Sequence, residues 1–167
     1  MKGIKIILLH RADWKIYKTI QLEALKNDPQ SFGASYDEWI NFSDEKWQER
    51  PSNKDSMIFI AQDEERPMGL VGIHFEEENG ERSAHIWGMY VNKDYRGLGL
   101  GKQLLQQAFN TIKDTSLVRK VKLMVEFNPT PAQKLYRSLG FQETGTVDYT
   151  LGDKKEHKLY KMEKLLG

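Results

Sequence analysis

Seven residues in the middle of the chain, Arg96-Gly97-Leu98-Gly99-Leu100-Gly101-Lys102, have the make-up of an anion site. They lie between an apolar run ending at Met89-Tyr90-Val91 and a segment with helical apolar spacing. A helix start offers free backbone N–H groups and the positive end of the peptide dipole. Glycines there let a phosphate approach the backbone without side-chain obstruction, and Arg96 and Lys102 add charge. Two commoner phosphate loops fail on spacing. A G-x-x-x-x-G-K-[ST] loop needs Gly where Arg96 stands and Ser or Thr where Gln103 stands. A G-x-G-x-x-G fingerprint needs its third Gly at Lys102. Neither ATP nor NAD is the natural ligand of such a turn. A glycine-rich turn that only reverses the chain is the alternative.

A second segment runs Asn128-Pro129-Thr130-Pro131-Ala132-Gln133-Lys134-Leu135-Tyr136-Arg137-Ser138-Leu139-Gly140-Phe141, one helix and one strand downstream. The pair resembles the signatures of the GNAT acetyltransferase family. Arg96 to Gly101 match its R/Q-x-x-G-x-G/A turn, and Ala132, Leu135, Tyr136, Gly140 and Phe141 fall in register with its N-x-x-A-x-x-L-Y-x-x-x-G-F segment. The resemblance extends from Met57 to Tyr149. It implies acetyl-CoA as co-substrate, with the pyrophosphate on the backbone of Arg96, Gly97, Leu98, Gly99, Leu100, Gly101 and Lys102. It implies pantetheine contacts along Met89, Tyr90 and Val91, and further cofactor contacts at Ala132 and Tyr136. The family's Asn falls on Pro129 here, and Asn128 stands one step early. Asn128 either reaches the cofactor through a local shift or makes an Asn-Pro turn.

The resemblance also implies the chemistry, transfer of an acetyl group to an amine. Tyr136 corresponds to the general acid that hands a proton to the departing thiolate. A thiol near ~8.5 and a phenol near ~10 are compatible partners. With no cysteine in the chain, a Cys acyl-enzyme is impossible, and direct attack by the amine is the simplest route. The amine must shed a proton to a base or a water chain. Some relatives use a Glu where this chain has Met124, and Glu126, two residues on, lies on the same strand face. His85, with an imidazole that titrates near pH 7, is the other candidate. His74 and Glu76 to Glu78, near a hairpin tip, are poorer ones. On the acceptor side, the resemblance points to Phe32, Tyr36 and Trp39 as walls of an apolar or cation-binding pocket.

The elements that must position these residues follow from periodicity. Ile4 to Leu9 reads as a strand, and Trp14 onward as a helix with Asp13 as cap, ended by Asp28-Pro29. Ser31 to Ser35 is loop-like, and Tyr36 to about Arg50 reads as one helix stopped by Pro51. Three antiparallel strands follow, Met57–Gln62, Met68–Glu76 and Arg82–Val91, the last two joined by an Asn79-Gly80 turn. Gly99 to Lys113 is a helix, Val118 to Glu126 a strand, Pro131 to Leu139 a helix closed by Gly140. Phe141–Tyr149 and Glu156–Met162 make a final hairpin. The resemblance implies an α/β (α+β) acyl-CoA N-acyltransferase fold: a central mixed, mostly antiparallel sheet of six to seven strands, flanked by about four helices.

Composition narrows the field further. At 167 residues the chain fits one domain over 1–167, and 39% hydrophobic residues suffice for a core. Lys plus Arg number 25 against 24 Asp plus Glu, so no broad positive field exists for nucleic acid or an anionic membrane. The expected partner is a small-molecule or peptide amine, and a homodimer stays open. No metal is expected. The N-terminal aliphatic run is far short of a membrane span or signal, and the lack of cysteine fits a cytoplasmic protein. A non-catalytic acyl-CoA-binding module is the alternative function; a scaffold domain of similar topology would need no glycine turn.

Overall fold

The computed structural model describes residues 3–115 and 117–167. In chain order the elements are β1 (Ile4–Leu8), α1 (Trp14–Asn27), α2 (Tyr36–Trp39), α3 (Asp44–Glu49), β2 (Ser56–Asp63), β3 (Arg66–Glu78) and β4 (Glu81–Val91). Then come α4 (Leu100–Asp114), β5 (Val118–Glu126), α5 (Pro131–Ser138), β6 (Gln142–Thr150) and β7 (Glu156–Leu165). The strands form one sheet in the order β1-β2-β3-β4-β5-β7-β6. Every pairing is antiparallel except β4 with β5, which is parallel and bridged by α4. This is the expected mixed, mostly antiparallel sheet of seven strands, with five α-helices among the described residues.

The sheet is covered on both faces because its inner strands alternate apolar side chains to either side. One face carries Phe59, Ala61, Val71, Ile73, Ala84 and Val121 against Leu104, Leu105, Ala108 and Ile112 of α4. Those α4 positions recur at i, i+1, i+4 and i+8, a stripe wide enough to seal a sheet. The other face carries Ile58, Ile60 and Leu70 against Tyr17, Ile20, Ala24 and Leu25 of α1. Between Glu78 and Glu81, Asn79 and Gly80 both have positive φ (52° and 77°), the backbone of the expected tight turn.

Two local expectations are corrected. The stretch from Tyr36 to Arg50 is two short helices, not one. Asn41 Nδ2 donates to Asp37 O at 2.8 Å, and Ser43 Oγ accepts the Lys46 N–H at 3.2 Å, so short polar side chains terminate one helix and cap the next. The break lets Trp39, Phe42 and Trp47 converge, with ring centroids 5.3 to 5.9 Å apart. Asp13 precedes α1 but does not cap it with its side chain. Its carboxylate accepts the His10 N–H at 2.9 Å, closing a 3-10 turn instead. Among the described residues no helix is long and apolar enough to cross a membrane.

Candidate functional site

The cleft arises where two parallel strands part. β4 pairs with β5 only from Arg82 to His85, opposite Val118 to Lys122. Beyond His85 the strands diverge, and β4 also carries an extra residue relative to β3, since Leu70 faces Tyr90 while Gly72 faces Trp87. Gly88 sits in this bulge with φ 66°, a conformation that glycine adopts without a Cβ penalty. Bulges bend a strand, and this one turns the end of β4 away from β5. A cavity of about 450 Å³ opens in the fork, walled by His85 to Met89 of β4, Leu123 to Glu126 of β5, and Ala132 and Tyr136 of α5.

At one end of the fork lies the glycine-rich turn. Asn92 N–H donates to Met68 O, so β4's ladder groups at Asn92 face β3 and those of Val91 face the opposite, open edge. Gly99 caps α4 in the left-handed region (φ 80°) with no side-chain bond to the helix start, and the first backbone bond is Gln103 N–H to Gly99 O. The N–H groups of Leu100, Gly101 and Lys102 are thus left for a ligand. A Cβ added at Gly97 or Gly99 would meet nothing within 4 Å, whereas one at Gly101 would stand 3.0 Å from Met89 Cε. Gly101 therefore lets α4 pack on β4, and the other two keep the approach open. Leu100 is buried and anchors the helix; Leu98, Gly97, Gly99 and Lys102 are exposed.

Arg96 is engaged elsewhere. Its Nε donates to Val91 O at 2.8 Å and its Nη2 pairs with Asp28 at 2.8 Å, fastening the turn to the end of α1. Tyr90 does the same from below. Its hydroxyl donates to Glu23 Oε1 at 3.0 Å and accepts from Asn27 Nδ2 at 3.2 Å. Burial pushes that phenol up to about 12. The Tyr90 side chain thus holds β4 against α1 and is no wall of the cleft.

At the other end, α5 starts with Thr130 Oγ1 accepting the Gln133 N–H at 3.2 Å. Its buried face turns Tyr136 into the cavity wall, edge-on to Phe141 with centroids 5.9 Å apart. Burial alone pushes the Tyr136 phenol up to about 12, so it stays protonated at neutral pH. A splayed parallel strand pair beside an uncapped helix start and a buried phenol offers an anion-binding helix end and a desolvated hydrogen-bond donor on the same cleft.

Comparison with known proteins accords with this geometry. The profile of the Acetyltransferase (GNAT) family matches residues 16–141. The chain belongs to the GNAT acetyltransferase family. An uncharacterised N-acetyltransferase of Bacillus subtilis is 36% identical over 80 residues, 48% of this chain and 51% of that protein. An N-alpha-acetyltransferase of Sulfurisphaera tokodaii is 32% identical over 72 residues, 43% of each chain. The chain thus spans about half the length of the curated relatives it matches. Arabidopsis thaliana NAA60 in complex with acetyl-CoA superposes with a TM-score of 0.78 at 17% identity, covering 98% of this chain and 99% of that one.

Both base candidates border this GNAT cleft, at different points. His85 stands at the crotch of the fork, the last β4 residue paired with β5. Burial lowers its pKa below the usual 6.5, against the pull of Glu76 and with help from His74 and Lys122. Glu126 lies at the far end of β5, where Asn128 Nδ2 donates to it at 3.4 Å and His157 Nδ1 approaches to 3.6 Å. Asn128 faces this carboxylate and is not part of the cavity wall. Gln133, which the motif reading passed over, is 2% exposed and its Nε2 donates to the carbonyls of Glu126, Phe127 and Asn128. It fixes the turn that carries β5 into α5. A buried amide at the third position of a helix has no periodic signature to betray it.

On the acceptor side, Phe32 and Trp39 border the fork, and Tyr36 borders neither it nor the neighbouring cavity. Tyr36 instead packs on the α1 side of the core with Lys26 Nζ 5.9 Å from its ring. The β6–β7 loop closes over this region, Gly152 N–H donating to Phe32 O. Tyr149 and Leu151 of that hairpin join the wall.

Proposed function

We propose that this chain is an acetyl-CoA-dependent N-acetyltransferase that acts on a primary amine of a small molecule or peptide by direct attack in a ternary complex. The observation that carries the reading is the fork itself. β4 and β5 separate just past His85, and the space between them is walled by the buried phenol of Tyr136 and by Met89, whose side chain lies against Gly101 at the uncapped start of α4. The Leu100, Gly101 and Lys102 N–H groups hold the pyrophosphate, and the Val91 N–H, whose carbonyl is bonded to Arg96, takes a pantetheine amide carbonyl. That leaves the thioester near Tyr136.

His85 takes the proton from the acceptor ammonium, since its lowered pKa keeps the imidazole neutral at pH 7. The amine nitrogen then bonds to the carbonyl carbon, the carbon–sulfur bond breaks with its electron pair on sulfur, and the nitrogen's second proton passes to that sulfur to give the free thiol, while His85 later releases the first to solvent. Burial raises the Tyr136 phenol to about 12, further above an ordinary thiol, so complete transfer from phenol to thiolate is uphill. Tyr136 therefore acts first as a hydrogen-bond donor to the sulfur as charge develops there, where a desolvated donor is most effective. The thiol proton balances the one the amine lost.

The test is a panel of amines with acetyl-CoA, read as free thiol release and acetylated product. Release that requires an amine supports the reading. Acetyl-CoA binding with no release across amino acids, peptides and polyamines would instead support the non-catalytic acyl-CoA-binding alternative.

A further inference from the structure

Beside the fork, on the sheet face covered by α1 to α3, lies a second open cavity of about 630 Å³. Trp39, Arg50, His85 and Trp87 border both spaces, so the two communicate at the base candidate. The Arg50 carbon Cζ lies 4.5 Å from the Trp39 ring centroid and 5.2 Å from that of Trp87. Trp87 can lie there because Gly72 is opposite it; a Cβ at Gly72 would come within 2.2 Å of the indole. The aromatic pair is therefore filled by the chain's own cation.

Three residues with donor groups border this cavity, none paired with a carboxylate. Among the described residues Arg50 has no carboxylate within 4 Å, and its side chain is exposed. Tyr17 and Trp47 also border it, are 0% and 1% exposed, and their Oη and Nε1 lack hydrogen-bond partners. Arg50 stands beside the Tyr17 hydroxyl, outside regular hydrogen-bond geometry but close enough that its charge and a weak hydrogen bond oppose the rise in pKa that burial causes. The remaining charges are committed. Lys46 and Glu49 pair at 3.1 Å, and Glu76 acts on His85, at the amine end. Unpaired buried donors around a free guanidinium are the complement of an oxyanion.

Resting on the acetyltransferase reading, we infer that the acceptor is an amine that also carries a carboxylate, held by Arg50 with Tyr17 and Trp47 while its amino group reaches past Trp87 to His85. A polycationic acceptor is disfavoured, because the indole pair is occupied and Arg50 repels it. The carboxylate belongs either to a free amino acid or to an acidic residue of a short peptide.

The experiment compares amino acids of several sizes with their carboxamides, amidated peptides with an acidic or neutral second residue, and spermidine, all with acetyl-CoA. Carboxylate-bearing acceptors are expected to exceed their neutral counterparts about 10- to 100-fold in kcat/KM, the range for a charged hydrogen bond. Amino acids over amides identify the free α-carboxylate; acidic over neutral peptides identify the side chain. Arg50→Gln is expected to level the ratio, and Arg50→Lys to restore it in part. Amides or spermidine used as well as carboxylates, or a ratio that survives Arg50→Gln, would overturn the inference. In parallel, tryptophan fluorescence is titrated with N-acetyl amino acids and their amides, without acetyl-CoA. If acetyl-CoA itself does not bind, the acetyltransferase reading fails, and this titration still decides the anion site: equal quenching by acid and amide refutes it.

Discussion

Tyr136 of α5 and His85 of β4 border one cleft, and the role proposed for each makes a separable demand. Tyr136→Phe keeps the ring against Phe141 and removes only the donor. Acetyl-CoA affinity should hold while kcat falls by about 10²- to 10⁴-fold, the usual weight of a positioned proton donor. A variant that keeps half the rate, with chemistry limiting, would remove Tyr136 from the reaction. His85 is read through pH. Its folded pKa lies below the 6.5 of the unfolded chain, so the unfolded state binds more protons between the two values. Its contribution to stability is therefore full above pH 6.5 and lost as pH falls through the folded value. The kcat/KM profile should show an acid limb below pH 6.5 that disappears in His85→Gln; an unchanged limb would shift the base to Glu126. The family signature leads to Tyr136 directly, because its register with Gly140 and Phe141 is local. Arg50 is invisible in that way, since its partners Trp39 and Trp87 belong to segments whose meeting only the fold decides.

At the scale of elements, the glycine turn and the β5–α5 turn carry the site, and both can be loosened selectively. Gly99→Ala must adopt φ 80° with a Cβ, a cost of about 1–2 kcal/mol. Gly80, on the β3–β4 turn, has φ 77° and equally open surroundings, so Gly80→Ala supplies the same backbone penalty far from the cleft. Both variants should lose similar stability in urea, and only Gly99→Ala should bind acetyl-CoA more weakly. Equal affinities would return the turn to a purely structural role. Gln133→Ala leaves the carbonyls at the end of β5 without their donor and should cost about 1–3 kcal/mol, read from the denaturation midpoint. Most element boundaries follow from periodicity, as the α4 stripe and the Asn79-Gly80 turn illustrate. The break at Asn41 to Ser43 is masked by flanking aromatic residues whose helical spacing continues across it. The bulge leaves one trace, an isolated Gly88 in a strand pattern, and its consequence, the parting of β4 from β5, depends on a strand thirty residues later.

For the whole molecule, the sheet order places β4 and β5, the only parallel pair among the described residues, at its centre, and the cleft is the gap that this pair leaves past His85. Motif spacing identifies the family and hence the topology, but the cavity proposed for the acceptor is assembled from α1, α2, α3 and three strands, and no linear pattern encodes it. Because the proposed acetyl-CoA site draws on β4, α4 and α5 together, binding should stabilise the fold as a unit, by about 2.7 kcal/mol at a hundredfold excess over Kd. The most direct test is calorimetric titration of acetyl-CoA into the wild-type chain. The account predicts one saturable site, with the melting temperature rising in step with occupancy and the heat reduced in Gly99→Ala but not in Gly80→Ala. No heat and no thermal shift at millimolar acetyl-CoA would contradict it.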